Sequence, residues 1–149
     1  MSIHARAAIV AAAVTALTGL TTTGGRVFAG RSGPSSGASA PFLLVYGRAE
    51  QSAPLTMNGA NRKLQRELVL VVEGVAGEAA DVDDTQNIIA LEVETALAAD
   101  PALGGKARDL FLSRTAINAQ VDGETRLGLV RLEFSVLYQT VATAPGTAI

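Results

Sequence analysis

The chain has 149 residues, a formal net charge of -2 and a sequence pI of about 5.3. This length predicts one domain with a core large enough to be stable without cross-links. Cysteine is absent, which excludes disulfides, thiolate metal sites and cysteine nucleophiles. The acidic balance gives no global basic field for nucleic acid, and aromatic residues make up only 4% of the chain.

The N-terminal segment is open to two interpretations. The uncharged stretch 7–20, followed by Val27-Phe28-Ala29, is compatible with a secretory signal and a small-residue cleavage site. It is also compatible with a folded helix over about 3–20, which we favour because apolar residues recur at helical spacing. The predicted buried stripe consists of Ile3, Ala7, Val10, Val14 and Leu17.

Strand signals dominate the next part of the chain. Residues 26–29 predict a short strand, and residues 30–40, rich in Gly, Ser and Pro, predict a flexible loop. The apolar run 42–46 predicts a strand that is covered on both faces. A long strand over 62–75 follows, whose first half is polar and whose second half is apolar. We therefore expect residues 47–67 to form a projecting arm.

The second half of the chain predicts a helix and two strands. Asp83 is a candidate N-cap with Gln86 in capping-box position, and Asp81 and Asp84 also favour a helix start. The buried stripe of this helix is expected to contain Val82, Ile89, Val93, Ala96 and Leu97. Strands are predicted near 109–117 and 126–140, joined across Asp122-Gly123, and the tail 141–149 is expected to be loose.

This element order predicts a single α+β domain over residues 1–149. We expect a mixed or antiparallel sheet of four to five strands with two helices packed on one face. No internal repeat interrupts this pattern.

The sequence offers no convincing catalytic, metal or cofactor site. His4 is the only histidine and is expected to lie in solvent near the terminus. Asp81, Asp83 and Asp84 lack the glycine and downstream glutamate of a calcium loop. The glycines of 30–37 are followed neither by Gly-Lys-Ser/Thr nor by a helix, so a phosphate loop is not indicated. We expect a protein that is not an enzyme and binds no cofactor.

The only basic cluster contains Arg62, Lys63 and Arg66, with Arg48 nearby. It could contact phosphates, but no aromatic residues are interleaved for base stacking. A solvated arm or a protein contact is favoured instead. The candidate assembly contacts are Arg48, Arg62, Lys63, Arg66 and Glu67.

From about residue 3 to 145 the chain resembles the tail terminator (minor tail protein U-like, tail completion) proteins of long-tailed bacteriophages. The resemblance is one of element order and short signatures. These signatures are the alanine-rich segment 5–20, TTGGRVFAGR at 22–31, PFLLVY at 41–46, REL at 66–68, DDT at 83–85, LAADP at 97–101 and RLEFSVLY at 131–138.

The resemblance implies a structural virion protein that forms a ring, commonly a homohexamer, at the head-proximal end of the tail tube. Such a ring ends tube polymerisation and gives the head a docking face. Its expected partners are further copies of itself, the tail tube protein and a head completion or neck protein. Genomic DNA would pass through the lumen without specific binding, and no membrane is involved. Assembly would take place in the host cytoplasm.

Other functions remain open from the sequence. Another head–tail connector or a tail tube subunit would be a similar small protein, although a tube subunit would be expected to contain more strand. A secreted small-ligand-binding domain belongs to a different class and would fit the signal-like N-terminus.

Overall fold

The computed structural model describes residues 3–30, 40–57, 59–77, 82–122 and 125–149; the side chains of 119–127 are not part of that description. Two helices, α1 (Ala5–Leu17) and α2 (Val82–Ala98), accompany six strands. The strands are β1 (Val27–Ala29), β2 (Phe42–Pro54), β3 (Lys63–Gly77), β4 (Asp109–Asp122), β5 (Thr125–Val141) and β6 (Ala144–Ala148).

The strands form one mixed, curled sheet in the order β1-β2-β3-β5-β4, with β6 added to the end of β5. β1 runs parallel to β2, and the other pairs are antiparallel. The predicted α+β class is confirmed, and the sheet has six strands where four to five were expected.

Both helices pack on the same face of the sheet, hereafter the helix face. α1 buries Ala5, Ile9, Ala13 and Leu17, and α2 buries Gln86, Ile89, Val93 and Leu97. These side chains meet the alternate residues of β2, β3 and β5 that point to the same side. The opposite face, hereafter the far face, carries a small apolar cluster of Phe42, Leu44 and Val75.

The predicted stripe of α1 is largely wrong. Ile3 is 60% exposed, Ala7 is exposed, and Val10 and Val14 are only half-buried. Because α1 is apolar on almost every side, its periodicity does not single out one face. The face that packs on the sheet contains the alanines Ala5 and Ala13, whose small side chains let the helix backbone approach the strands closely.

Two predictions about loose segments also need correction. The predicted arm at 47–67 is mostly sheet, because β2 and β3 pair from Phe42 with Val75 to Pro54 with Leu64, and β3 pairs with β5 throughout. Of the described residues in this stretch, only 55–57 and 59–62 lie beyond the two strands, at the hairpin tip. The tail predicted to be loose forms β6, which its backbone pairing with β5 holds in place. The loop predicted at 30–40 lies, from 31 to 39, outside the described residues.

The start of α2 also differs in detail from the prediction. The helix begins at Val82, so Asp83 lies in its first turn and is not the N-cap, and Asp81 lies outside the described residues. Gln86 does not complete a capping box. Its buried amide donates to the backbone oxygens of Asn118 and Leu129, which ties α2 to β4 and β5.

Candidate assembly surface

A β-bulge in β2 decides which side chains of the β2–β3 hairpin face the helices. Gly47 pairs with Leu70 and Ala49 with Val69, so Arg48 is the extra residue. The insertion reverses the alternation of the strand. Glu50, which a regular strand would direct to the far face, therefore lies on the helix face opposite Leu68.

Glu50 is the centre of a polar cluster at the edge of the core. Its Oε2 accepts hydrogen bonds from Arg6 at 2.8 Å and from Arg66 at 3.1 Å, and its Oε1 accepts one from the Tyr138 hydroxyl. The Nε of Arg66 donates to the Thr140 hydroxyl at 2.9 Å. We call Glu50, Arg66, Tyr138, Thr140, Arg6 and His4 the Glu50 cluster.

The two central charges of this cluster are largely buried. The side chain of Glu50 is 10% exposed and that of Arg66 is 11% exposed. Because a buried charge without a partner is strongly destabilising, each of these two groups depends on its ion pair with the other. Burial, followed by the hydrogen bond to Glu50, raises the pKa of Tyr138 well above its ordinary value. The phenol therefore remains a neutral hydrogen-bond donor at physiological pH.

The far face carries a second set of ion pairs. Arg48 reaches across β3 to Glu133 at 2.9 Å, and Arg131 contacts Glu73 at 2.8 Å. Both arginines are nearly half exposed, whereas the two carboxylates are about one-tenth exposed. Val71 on β3 is fully buried although α1 and α2 both lie on the opposite face. We attribute its burial to the curl of the sheet and to the long side chains that cross over it.

The predicted contact residues do not form one patch. Arg66 lies in the Glu50 cluster and Arg48 on the far face, and both are engaged in ion pairs. Lys63 and Glu67 are exposed on the far-face side of β3, whereas Arg62 is half-buried at the hairpin tip. The sequence reasoning missed Glu50, Tyr138 and Glu133, because nothing local marks a carboxylate or a phenol as the partner of a distant arginine.

His4 was expected in solvent, and this prediction is wrong. Its Nδ1 accepts the backbone N–H of Arg6 at 3.2 Å and so caps the start of α1, and its ring is half-buried. The imidazole lies between Arg66 of β3 and residues 143–147, which partly cover it despite its position near the terminus.

β4 presents the most apolar exposed surface of the sheet. Phe111 is 48% exposed, Leu112 36% and Ile117 59%. Within the described chain β4 pairs with β5 alone, so its outer edge is free. An extra residue at Ser113 bulges this edge, and the Ser113 hydroxyl donates to the backbone oxygen of Glu133. The register with β5 places Leu112 and Ile117 on the helix face of this edge strand and Phe111 on the far face. We call these three exposed side chains, which border the free edge from both faces, the β4 edge patch.

A smaller apolar surface lies at the tip of the β2–β3 hairpin. Leu55 is 50% exposed and Met57 is 88% exposed, with Lys63 exposed beside them. The sheet order places this hairpin on the other side of β5 from β4. The molecule therefore has two separate apolar surfaces of different composition.

The described ranges contain no group of three or more His, Asp or Glu side chains arranged to hold a metal ion. Within the same ranges, no helix is both long and apolar enough to cross a membrane. Comparison with known proteins gave no match, either among family models or among curated proteins.

Proposed function

We propose that this protein is a non-catalytic structural subunit that, like the tail terminators it resembles, forms a homohexameric ring at the head-proximal end of a phage tail tube. In this role the ring ends tube polymerisation and gives the head its docking face. Its partners are further copies of the chain, the tube protein and a head completion or neck protein, and genomic DNA passes through the lumen. The site of action is the virion tail, after assembly in the host cytoplasm.

The β4 edge patch is the observation that carries this proposal. A ring needs two different surfaces on each subunit, because the contact between neighbours is heterologous. The β4 edge patch supplies one surface, and the hairpin tip with Leu55 and Met57 supplies a second. Three large apolar side chains along one free edge are typical of a surface that a protein neighbour covers.

The bulge at Ser113 indicates how such a neighbour would bind. A bulged edge does not offer the regular row of N–H and C=O groups that strand addition requires. The neighbour is therefore expected to pack against the side chains of β4 and not to extend the sheet. Lys63 and Glu67 remain proposed contacts on the hairpin, whereas the burial of Arg66 assigns it to the interior of the subunit.

The ring is tested by light scattering and negative-stain microscopy of the purified protein. We expect a mass several times that of the 15.2 kDa chain and six-fold particles. Ile117→Glu should shift the protein to monomers, because it places a charge in the proposed contact. Leu91→Glu, at a 66% exposed position on α2, is the matched control and should leave the ring intact.

The position in the tail is tested by adding the protein to polymerising tube subunits. A terminator shortens tubes in a dose-dependent manner and is found at one end only, whereas a tube subunit co-polymerises along the length. A wild-type protein that stays monomeric at high concentration and also leaves tube length unchanged would contradict the proposal.

A further inference from the structure

His4 lies where α1, β3 and β6 meet. Its Nδ1 is 3.2 Å from the backbone nitrogen of Arg6, and its Nε2 is 3.4 Å from Nη1 of Arg66. The backbone oxygen of His4 also accepts from Ala7 in the first turn of α1. One side chain therefore contacts both the start of the helix and the buried arginine of the sheet.

The protonation state of His4 decides whether its imidazole can accept the hydrogen bond from the backbone N–H of Arg6. A neutral imidazole has one acceptor nitrogen, so it can cap α1 through Nδ1 while its Nε2 carries the proton. An imidazolium has two N–H groups and no acceptor. Protonation of Nδ1 therefore removes the cap and adds a positive charge to a ring whose Nε2 lies 3.4 Å from Nη1 of Arg66.

The charges around His4 make its protonation unfavourable. α1 contributes Arg6, β3 contributes Arg66, β2 contributes the carboxylate of Glu50, and β5 contributes the neutral hydroxyl of Tyr138. The part of β6 and its turn beside His4, residues 143–147, contains no titratable side chain. Protonated His4 would be the third cation around one carboxylate.

This environment lowers the pKa of His4 below 6.5, first through burial and then through Arg6 and Arg66, with Glu50 opposing them. A pKa lower in the folded than in the unfolded protein means that the unfolded chain binds the proton more tightly. The contribution of His4 to stability is therefore complete above about pH 6.5 and is lost as the pH falls through and below that value.

We propose that His4 is a proton-operated latch, which in its neutral form holds the start of α1 on the sheet and in its protonated form releases it. The chain termini are part of the same structure. A Cβ on Gly146 of β6 would lie 2.6 Å from the backbone oxygen of Ile3, so the N-terminal segment packs directly on β6. Opening the first turn of α1 therefore loosens β6 as well.

The latch is tested by NMR and amide exchange on the intact protein. Because His4 is the only histidine, its imidazole protons give one titration curve, whose midpoint we expect below 6.5. Exchange of the first-turn amides of α1, corrected for the intrinsic pH dependence, should become several-fold faster between pH 7 and pH 5. Amides in the middle of β3 should not change.

His4→Asn is the control variant, because asparagine also caps helices but does not titrate in this range. Its first-turn exchange should be independent of pH over the same interval. A second variant, Glu50→Gln, removes the carboxylate that favours the charged imidazole and should lower the His4 midpoint further. The latch is ruled out if His4→Asn shows the same acceleration as the wild type, or if the wild-type midpoint is 6.5 or higher.

Discussion

Glu50 satisfies three donors from three elements of the fold: Arg6 on α1, Arg66 on β3 and Tyr138 on β5. At the scale of single residues, the stability of the protein should therefore depend more on Glu50 than on the carboxylates of the far face.

Glu50→Gln should lower the free energy of unfolding by about 3 kcal/mol, because Arg66 is left buried without a carboxylate. The matched control is Glu73→Gln, which breaks the pair with the 43% exposed side chain of Arg131. That change should cost about 0–1 kcal/mol, as expected for a solvent-screened pair. Urea denaturation of both variants measures the difference, and equal losses would show that burial of the Glu50 cluster contributes nothing extra.

Tyr138 gives a prediction at alkaline pH. Its pKa is raised in the folded protein, so its contribution to stability is complete below about pH 10 and is lost as the pH rises above that value. Tyr138→Phe removes this titration and should flatten the alkaline fall in the free energy of unfolding. The variant should also lose about 1 kcal/mol at pH 7, because one hydrogen bond to Glu50 is absent. Denaturation series at pH 7 to 11 for the two proteins provide the comparison.

At the scale of elements, the close packing of α2 on the sheet requires a glycine at position 74 of β3. A Cβ on Gly74 of β3 would lie 2.6 Å from Cγ2 of Ile89 and 3.0 Å from Cγ1 of Val130. Gly74→Ala should therefore push α2 off the sheet and cost about 1–3 kcal/mol. Gly25→Ala, where a Cβ would meet nothing within 4 Å, is the control and should be nearly neutral. Thermal unfolding of the two variants tests this difference.

The elements themselves could largely be predicted from the sequence. The alternation of Leu132, Phe134, Val136 and Tyr138 identifies β5 and its buried face, and the stripe containing Ile89, Val93 and Leu97 identifies α2. β6 could not be found in this way, because a short Ala/Pro/Gly/Thr segment has no apolar alternation. Its pairing depends on the neighbouring end of β5.

The Glu50 cluster also could not be predicted from the sequence. Regular alternation through β2 would place Glu50 on the far face together with Arg48, and only the bulge brings Glu50 to the helix face. Arg66 then looks like one residue of a solvated basic run, since its carboxylate partner lies 16 residues earlier in the chain. A bulge depends on the pairing of two strands and leaves no clear local signal in either one.

At the scale of the whole molecule, the C-terminal segment contacts both the N-terminal segment, through the close approach of Gly146 to the Ile3 oxygen, and the rest of the sheet. The Ile149 N–H donates to the oxygen of Gln139, and Arg108 donates to the oxygen of Ile149. Deleting residues 142–149 removes these bonds and the surface on which Ile3 packs. We expect a loss of about 1–3 kcal/mol and faster cleavage near the N-terminus in limited proteolysis. A truncated protein with unchanged stability and cleavage would contradict the structural role assigned to β6.

The bulge at Arg48 has a consequence for how the protein behaves at high concentration. Straight, exposed sheet edges can join between molecules and grow into fibrils. Deleting Arg48 would leave Gly47, Ala49 and Glu50 opposite the same residues of β3, so the core would be preserved while the edge of β2 became straight. Such a variant should fold and yet give a rising thioflavin signal on storage, whereas Arg48→Ala, which keeps the extra residue, should remain dispersed. The irregular residue would then protect the solubility of the chain.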